Sequence, residues 1–333
     1  MKVMVTGASG FVGRHLVAHL STVGGVTGVG VSRRAPAWSD PSWRHVAIDV
    51  TELPPVLGMV REFEPDVVFH LADPAMDARA RATDFEPYAA ALKGWRNVLE
   101  AVRLGAPRAR VLFASSSAVY GKVLETELPI RESVAPRPLN QQGVAKASQE
   151  LLAGYYGTCF GLHIVTFRTF NLVGPDLSED FVCSALAKQL AQISAGLREP
   201  VLEVGNLDPV RDYLDIRDAV VAYWRLAENG LAGEVYNVCS GVGYTVRQVL
   251  SMMLERDPGS SARIAIRQAE SRQRTCDIPV SLGSFEKIRK HIAWTPGRPL
   301  AASIADLCEA WGRAVVSGGA GAPDGLAVMP ACS

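Results

Sequence analysis

The chain has 333 residues, 48% of them hydrophobic, and its 34 basic residues balance its 34 acidic residues. This length and hydrophobic content suit one large domain or two coupled lobes with a sizeable core. A balanced charge removes the general attraction to nucleic acid or an anionic membrane, although a local basic pocket for a diphosphate stays open. We therefore expect no nucleic-acid partner.

The six cysteines are scattered, without a Cys-x-x-Cys pair or an adjacent set of histidines. This distribution favours free thiols in a reducing compartment over a disulfide framework or a zinc site. No stretch reaches the ~20 apolar residues of a membrane span, and a strand starts at Lys2 without a signal-like segment. We expect a cytoplasmic protein with no metal site and no membrane partner.

Short apolar segments rich in β-branched residues alternate with amphipathic segments through the first half of the chain. Continuous apolar strands separated by helices are typical of a parallel sheet that is covered on both faces. The sequence therefore predicts a doubly wound α/β fold. The predicted strands are residues 3–6, 26–32, 45–49, 67–72, 111–116 and 164–170, and the two main helices are residues 84–104 and 141–156.

The alternation weakens beyond residue 175, where we predict a second, smaller lobe. Beyond that point the predicted helices are residues 182–196, 215–229, 246–255 and 304–315, and the predicted strands are residues 200–204 and 263–267. A further buried strand at 234–239 suggests that the chain returns to the first lobe. The expected first lobe is 1–172 plus 212–241, the second is 173–211 plus 242–317, and 318–333 is a Gly/Ala/Pro-rich mobile tail.

A glycine-rich turn, GASGFVG at residues 7–13, follows the first strand directly and opens a helix. Glycines let the backbone approach a pyrophosphate, and the helix N-terminus supplies unpaired N–H groups and a positive dipole end. Tight turns also use glycine for conformational reasons alone, but the strand before and the helix after favour a dinucleotide site. The predicted cofactor residues here are Gly7, Ser9, Gly10, Phe11, Val12 and Gly13.

The second strand ends in Ser32, Arg33 and Arg34, where an acidic residue would hold the adenosine ribose of NAD. Two guanidiniums and a hydroxyl suit a 2′-phosphate, so NADP(H) is favoured over NAD(H). The alternative is two solvated arginines in a loop. Asp49 is placed to accept a hydrogen bond from adenine. The other predicted cofactor residues are Val50, Leu71, Ala72, Lys146 and Phe170.

The segments ASSSAVYG at 114–121 and QGVAK at 142–146 resemble the extended short-chain dehydrogenase/reductase family. The resemblance implies that Ser116 is the catalytic serine and that Lys146 holds the nicotinamide ribose. The catalytic tyrosine of the family falls at Gln142, and its supporting asparagine falls at Ala91. An amide can hydrogen-bond a carbonyl oxygen, but it does not titrate near neutrality and cannot act as a general acid or base.

Two other residues are candidates to replace the missing phenol. Tyr120 follows Ser116 by four residues, and its family counterpart packs beneath the site. Asp73 stands close to the same cleft, where relatives commonly have a small residue. His70 lies in a buried strand and is expected to be a packed histidine, and Cys183 a small buried side chain rather than a nucleophile.

The second half carries more specific motifs: NLVGP at 171–175, VGNL at 204–207, RDYLDIRD at 211–218 and EVYNVCSG at 234–241. These resemble GDP-4-keto-6-deoxy-mannose reductases, with GDP-mannose 4,6-dehydratases as near relatives, and the similarity covers residues 1–314. It implies a GDP-linked sugar, whose diphosphate two arginines can neutralise without a metal. The implied substrate residues are Ser116, Ser117, Asn171, Val182, Lys188, Val204, Arg211 and Arg274.

Three functions stay open because Gln142 and Ala91 depart from the family pattern. The first is an NADP-dependent reductase or epimerase of a GDP-linked sugar with an altered proton relay. The second is a repurposed enzyme that catalyses a non-redox elimination, isomerisation or epimerisation. The third is a catalytically silent protein that binds NADP or a nucleotide-sugar. The two main helices also resemble those that pair as a four-helix bundle in relatives, which predicts a homodimer.

Overall fold

A computed structural model of the chain describes residues 1–35, 40–73, 85–256, 263–269 and 278–318. Its largest element is a parallel sheet of seven strands in the order β3-β2-β1-β4-β5-β6-β10. This is the doubly wound α/β sheet that the sequence predicts. The strands are β1 Lys2–Thr6, β2 Thr27–Ser32, β3 Trp43–Ala47, β4 Val67–His70, β5 Arg110–Ser116, β6 His163–Thr169 and β10 Val235–Val238.

Helices cover both faces of this sheet because successive side chains of each strand point to opposite sides. In β1, Val3 and Val5 pack in one core cluster with the helices α1 and α6, while Met4 packs in the other with α2, α3 and α4. Their bounds are α1 Phe11–Leu20, α2 Leu53–Phe63, α3 Phe85–Gly105, α4 Gln141–Phe160 and α6 Ile216–Asn229.

A second sheet lies outside the main one and is centred on β9 Val210–Asp215. Strand β9 pairs in parallel with β7 Asn171–Val173 and β13 Val280–Ser281, and antiparallel with β11 Gly243–Thr245. A separate parallel pair joins β8 Val201–Val204 to β12 Ala265–Gln268. The remaining helices are α5 Val182–Ser194, α7 Val246–Leu254, α8 Glu286–Ile292 and α9 Leu300–Val316.

The smaller lobe has a core of its own, in which α5, α7 and α9 pack around Leu186, Leu250 and Ile304. Strand β10, which lies between α5 and α7 in the chain, extends the main sheet beside β6. Elements of the main sheet and elements of this second core therefore alternate along the chain.

The third strand differs from its predicted span of 45–49, since β3 ends at Ala47. The reason is local: Asp49 Oδ1 accepts hydrogen bonds from the backbone N–H and the hydroxyl of Thr51, both at 2.9 Å. An aspartate that bonds two residues ahead forms a turn and competes with extended structure. Helix α2 was not predicted from the sequence, and its first turn contains the prolines of positions 54 and 55.

Two expectations fall on parts of the chain that lie outside the described residues: Arg274, and the tail from residue 319 onward. Among the described helices, none combines the length and hydropathy that a membrane span requires.

Candidate active site

The glycine-rich turn lies between β1 and α1 and packs against the loop after β4. Gly7 has a φ of +75°, and a Cβ added to it would lie 2.7 Å from the backbone nitrogen of Ala72. Only glycine fits a left-handed conformation at such a close approach. The turn and the predicted pyrophosphate residues Leu71 and Ala72 are therefore adjacent, in front of the N-terminus of α1, which begins at Phe11.

The end of β2 forms a small polar cluster with β3. Ser32 Oγ lies 2.7 Å from the carbonyl oxygen of Arg34 and 2.8 Å from His45 Nε2. A hydroxyl has one hydrogen, so Ser32 donates to the Arg34 carbonyl and accepts from His45 Nε2–H. The side chains of Arg33 and Arg34 are exposed.

His45 was not predicted as a site residue, although a signal for it exists. The register places His45 opposite Gly30 on β2, so it shares one face of the sheet with Ser32. Burial lowers the pKa of the His45 imidazole below its ordinary value. Of the other predicted adenosine residues, Asp49 uses Oδ1 in its turn, and the Val50 carbonyl accepts a 3.1 Å hydrogen bond from Asn97.

Lys146 lies on α4 and points to the carboxyl ends of β4 and β5. Its Nζ is 2.8 Å from Asp73 Oδ2, donates to the Ala114 carbonyl at 2.7 Å, and lies 5.1 Å from the centre of the Phe113 ring. The side chains are 9% exposed for Lys146 and 20% for Asp73. Asp73 Oδ1 has no hydrogen-bond partner among the described residues. Two of the predicted catalytic residues thus form a largely buried ion pair.

Ser116 ends β5, the strand whose Ala114 carbonyl accepts the hydrogen bond from Lys146, and Gln142 lies in the first turn of α4, the helix that carries Lys146. Ser116 Oγ accepts a 3.1 Å hydrogen bond from Ala118 N and caps a short 3-10 turn, Ser117–Val119. Helix α4 packs directly on that turn, since a Cβ on Gly143 would lie 2.4 Å from the Ala118 carbonyl oxygen. Gln142 is exposed in the first turn of α4, one turn before Lys146 on the same helix face.

Tyr120 and His70 are enclosed in the protein interior. The Tyr120 hydroxyl donates to Asn237 Oδ1 at 2.6 Å, its ring is fully buried, and burial raises its pKa to about 12. His70 stacks on Trp95 with ring centres 4.8 Å apart, and burial, assisted by the Lys146 charge, lowers its pKa to about 3. His70 is packed, as the sequence suggests, and the surroundings of Tyr120 do not favour a chemical role.

A buried ionic network behind the site was also missed. Glu150, one turn after Lys146 on α4, accepts hydrogen bonds from Arg168 Nε at 2.9 Å, Arg168 Nη2 at 2.6 Å and Ser115 Oγ at 2.5 Å. It ties α4 to the neighbouring strands β5 and β6, beside Ser116. The available signal was the spacing, because an acid four residues after Lys146 faces the same strands.

The predicted substrate residues fall mainly in the second lobe. Lys188 pairs with Glu179 at 2.6 Å and lies over the Trp311 ring, and Arg211 Nη1 donates to the carbonyls of Val210 at 2.9 Å and Ile278 at 2.6 Å. Asn171 starts β7, Val182 starts α5, and Val204 ends β8. Phe170, just before β7, is buried.

Ala91 stands where the family resemblance places the supporting asparagine. Its methyl is buried in α3, and its carbonyl accepts a 3.1 Å hydrogen bond from Gln149 Nε2 on α4. The helices α3 and α4 are thus joined at this point without a polar side chain directed to the cleft.

Residues 3–239 match the NAD dependent epimerase/dehydratase family. The chain is 32% identical to the GDP-6-deoxy-D-mannose reductase of Pseudomonas aeruginosa over 310 residues, which cover 93% of this chain and 97% of the relative. The chain belongs to this family and is an NAD(P)-dependent nucleotide-sugar enzyme.

Solved structures agree with this assignment. The structure of RMD from Pseudomonas aeruginosa complexed with NADPH matches with a TM-score of 0.80 and 32% identity, covering 94% of this chain and 99% of that one. The UDP-glucose 4-epimerase of Thermus thermophilus in complex with NAD matches with a TM-score of 0.79 and 28% identity, covering 93% and 99%. The family resemblance of the sequence is confirmed.

Proposed function

We propose that this protein reduces or epimerises a GDP-linked 4-keto-6-deoxy sugar with NADP(H), through an altered proton relay. The observation that carries the proposal is the grouping of Ser116 and Lys146 at the carboxyl end of the main sheet, with Gln142 in place of the family's tyrosine. The framework for hydride transfer is kept, while its usual acid is absent.

The residues around the glycine turn fit a dinucleotide. Gly7 leaves space that a Cβ would fill, and α1 presents its N-terminus to the same space. The cofactor, when bound, supplies a hydride to the sugar carbon or removes one from it. Lys146 would hold the nicotinamide ribose, and Leu71 and Ala72 would line the pyrophosphate.

NADP(H) is preferred in this proposal because Arg33 and Arg34 are exposed beside Ser32 at the adenosine end. One structural relative holds NADPH and another holds NAD, so the fold accepts both. Calorimetric titration with the two cofactors tests the preference. Equal affinities, or a preference that survives Arg33→Ala with Arg34→Ala, would contradict it.

The second lobe, residues 173–211 and 242–317, would bind the nucleotide-sugar, with Arg211 and Arg274 at the diphosphate. Guanidiniums suit phosphate oxygens because their donors form a planar fork. The guanine base is supported by the 32% identity to a GDP-6-deoxy-D-mannose reductase. The other residues assigned to the substrate are Ser117, Asn171, Val182, Lys188 and Val204.

We also propose a homodimer formed by α3 and α4. These helices pack on each other, and the outer face of α4 exposes Leu151 to 78% and Tyr155 to 53% of their full area. A second copy of the same face would cover these apolar side chains. Light scattering at micromolar concentration tests this proposal, and a monomer would contradict it. The thiols of Cys159, Cys183, Cys239 and Cys308 are free, which suits the proposed cytoplasmic location.

A second function is favoured by one observation, the carboxylate of Asp73 beside Lys146. A carboxylate and an ammonium at the cleft could support a non-redox elimination, isomerisation or epimerisation with the nucleotide retained as a structural ligand.

The deciding experiment incubates the protein with NADPH and GDP-4-keto-6-deoxy-mannose, and follows NADPH oxidation together with the product sugar by NMR. A reductase oxidises one NADPH for each sugar reduced. A changed sugar without net NADPH oxidation identifies an epimerase or the non-redox function. Tight binding of both ligands without any product would instead identify a silent binding protein.

A further inference from the structure

The proton that a sugar oxygen needs must come from a group other than residue 142. Three candidates are unsuitable: Gln142 does not titrate, Tyr120 is fully buried with its hydroxyl on Asn237, and His70 is fully buried against Trp95. Two titratable residues of the predicted site remain, Lys146 and Asp73, and the structure brings them into contact at 2.8 Å.

The hydrogen bonds of Lys146 to the protein leave one of its donors for the cleft, where the proposed function places both the nicotinamide ribose and the sugar oxygen. An ammonium carries three N–H groups. One is directed to Asp73 Oδ2 at 2.8 Å and a second to the Ala114 carbonyl at 2.7 Å. Ala114 lies two residues before Ser116 on β5, so these contacts direct the ammonium to the strand that ends at Ser116.

We propose that Lys146 is itself the proton donor of the reaction and that Asp73 positions its ammonium, an assignment that rests on the proposed function. When bound, NADPH would supply the hydride to the carbonyl carbon and would leave as NADP⁺. Lys146 Nζ would give its proton to the carbonyl oxygen as the π pair moves onto that oxygen, and the resulting amine would regain a proton from water. Asp73 stays a carboxylate throughout.

The pair also explains how a chain without the phenol keeps its lysine. In the family, the lysine lowers the pKa of the tyrosine. Here Asp73 neutralises the Lys146 charge, so the pair as a whole would do little to acidify a neighbouring phenol. The Asp73–Lys146 contact and the amide at position 142 are therefore compatible features of one site.

Two variants at position 146 separate proton donation from charge or packing. Lys146→Arg keeps the positive charge and can still pair with Asp73, but a guanidinium does not release its proton. We expect it to bind NADPH and to lose turnover by about 10²-fold or more. Lys146→Ala should be equally impaired and should recover with added methylamine or ethylamine, at rates that follow the acidity of the amine.

Asp73→Asn tests the positioning role, because it keeps the shape of the side chain and removes its charge. We expect a smaller kcat, a changed pH profile of kcat, and little change in NADPH affinity. The double variant Asp73→Asn with Lys146→Arg should have a kcat little lower than that of Lys146→Arg alone, since the effects of two residues that act as a unit are not additive.

Lys287 offers a matched control. Its Nζ also contacts one carboxylate, Glu234, and one backbone carbonyl, Val235, both at 2.6 Å. These groups lie at the amino-terminal end of the edge strand β10, whereas Lys146 lies at the carboxyl ends of the central strands β4 and β5. Lys287→Arg should leave turnover unchanged.

Full activity of Lys146→Arg, or unchanged kcat and pH profile in Asp73→Asn, would overturn the assignment. The assignment would also be overturned if the fall in turnover of Lys146→Ala equalled its fall in NADPH affinity and added amine did not restore turnover. Lys146 would then serve only the cofactor. A wild-type protein that binds GDP-4-keto-6-deoxy-mannose and NADPH without turnover contradicts the proposed function, and this assignment with it. Should Lys146→Ala fail to fold, Asp73→Asn and Lys146→Arg still decide the question.

Discussion

The adenosine end and the proposed catalytic end of the cleft are built from different groups. The glycine turn at Gly7 approaches the backbone of Ala72 closely, whereas the proposed catalytic end has Gln142 where the family resemblance expects a tyrosine, and Asp73 beside Lys146. The adenosine end works through backbone N–H groups, which survive most side-chain changes. Proton transfer depends on single side chains, and so this end can change chemistry while the fold and cofactor site persist.

The largest expected effect concerns the network that supports the catalytic end. Glu150→Ala should lower the free energy of unfolding by about 3–5 kcal/mol, because it leaves the Arg168 charge unpaired in the interior. Urea denaturation measures this change. Glu62→Ala is the control: it breaks an exposed pair with Arg44 and should cost less than about 1 kcal/mol. Equal losses would mean that Glu150 is not a buried support.

The adenosine end is tested by Gly7→Ala, which places a Cβ 2.7 Å from Ala72 N at a φ of +75°. Such backbone strain costs about 1–3 kcal/mol, so NADPH affinity should fall by at least about tenfold in calorimetry. Gly24→Ala, at a position where a Cβ meets nothing within 4 Å, is the control. Unchanged affinity in Gly7→Ala would show that the turn does not contact the cofactor.

Restoring the phenol sharpens the comparison at the catalytic end. We expect Gln142→Tyr combined with Asp73→Ala to turn over the GDP-4-keto-6-deoxy sugar at least about ten times faster than Asp73→Ala alone, because the freed Lys146 charge can acidify the phenol. In the wild-type background, Gln142→Tyr should raise turnover by a smaller factor. NADPH oxidation measures the turnover rates, and an equal increase from Gln142→Tyr with Asp73 present and with Asp73→Ala would show that Asp73 does not shield Lys146.

The smallest expected effect is a pH dependence at the adenosine end. Burial lowers the pKa of His45, so its imidazole is neutral at neutral pH and gains its charge only as the pH falls below the ordinary value of 6.5. That charge would lie beside the proposed 2′-phosphate pocket and is worth about 1 kcal/mol. The ratio of NADPH to NADH affinity should therefore rise more steeply on acidification in the wild type than in His45→Gln. Parallel titration curves would exclude His45 from the pocket.

The sequence by itself determined the main sheet and the glycine turn, because each depends on local signals. β-Branched runs predict buried parallel strands, and a strand, a glycine-rich turn and a helix in direct succession predict a dinucleotide site. Gln142 and Lys146 were visible as neighbours on one helix face because a helical spacing of four is a local property as well.

Only the tertiary structure decided the contacts between residues far apart in the chain. Asp73 meets Lys146, Glu150 meets Arg168, and β9 gathers β7, β11 and β13 into a second sheet. Each of these strands has two to six residues and little pattern of its own, so its place is set by its partners. Whether a buried charge has a partner likewise depends on the packing of separate elements, which no local spacing specifies.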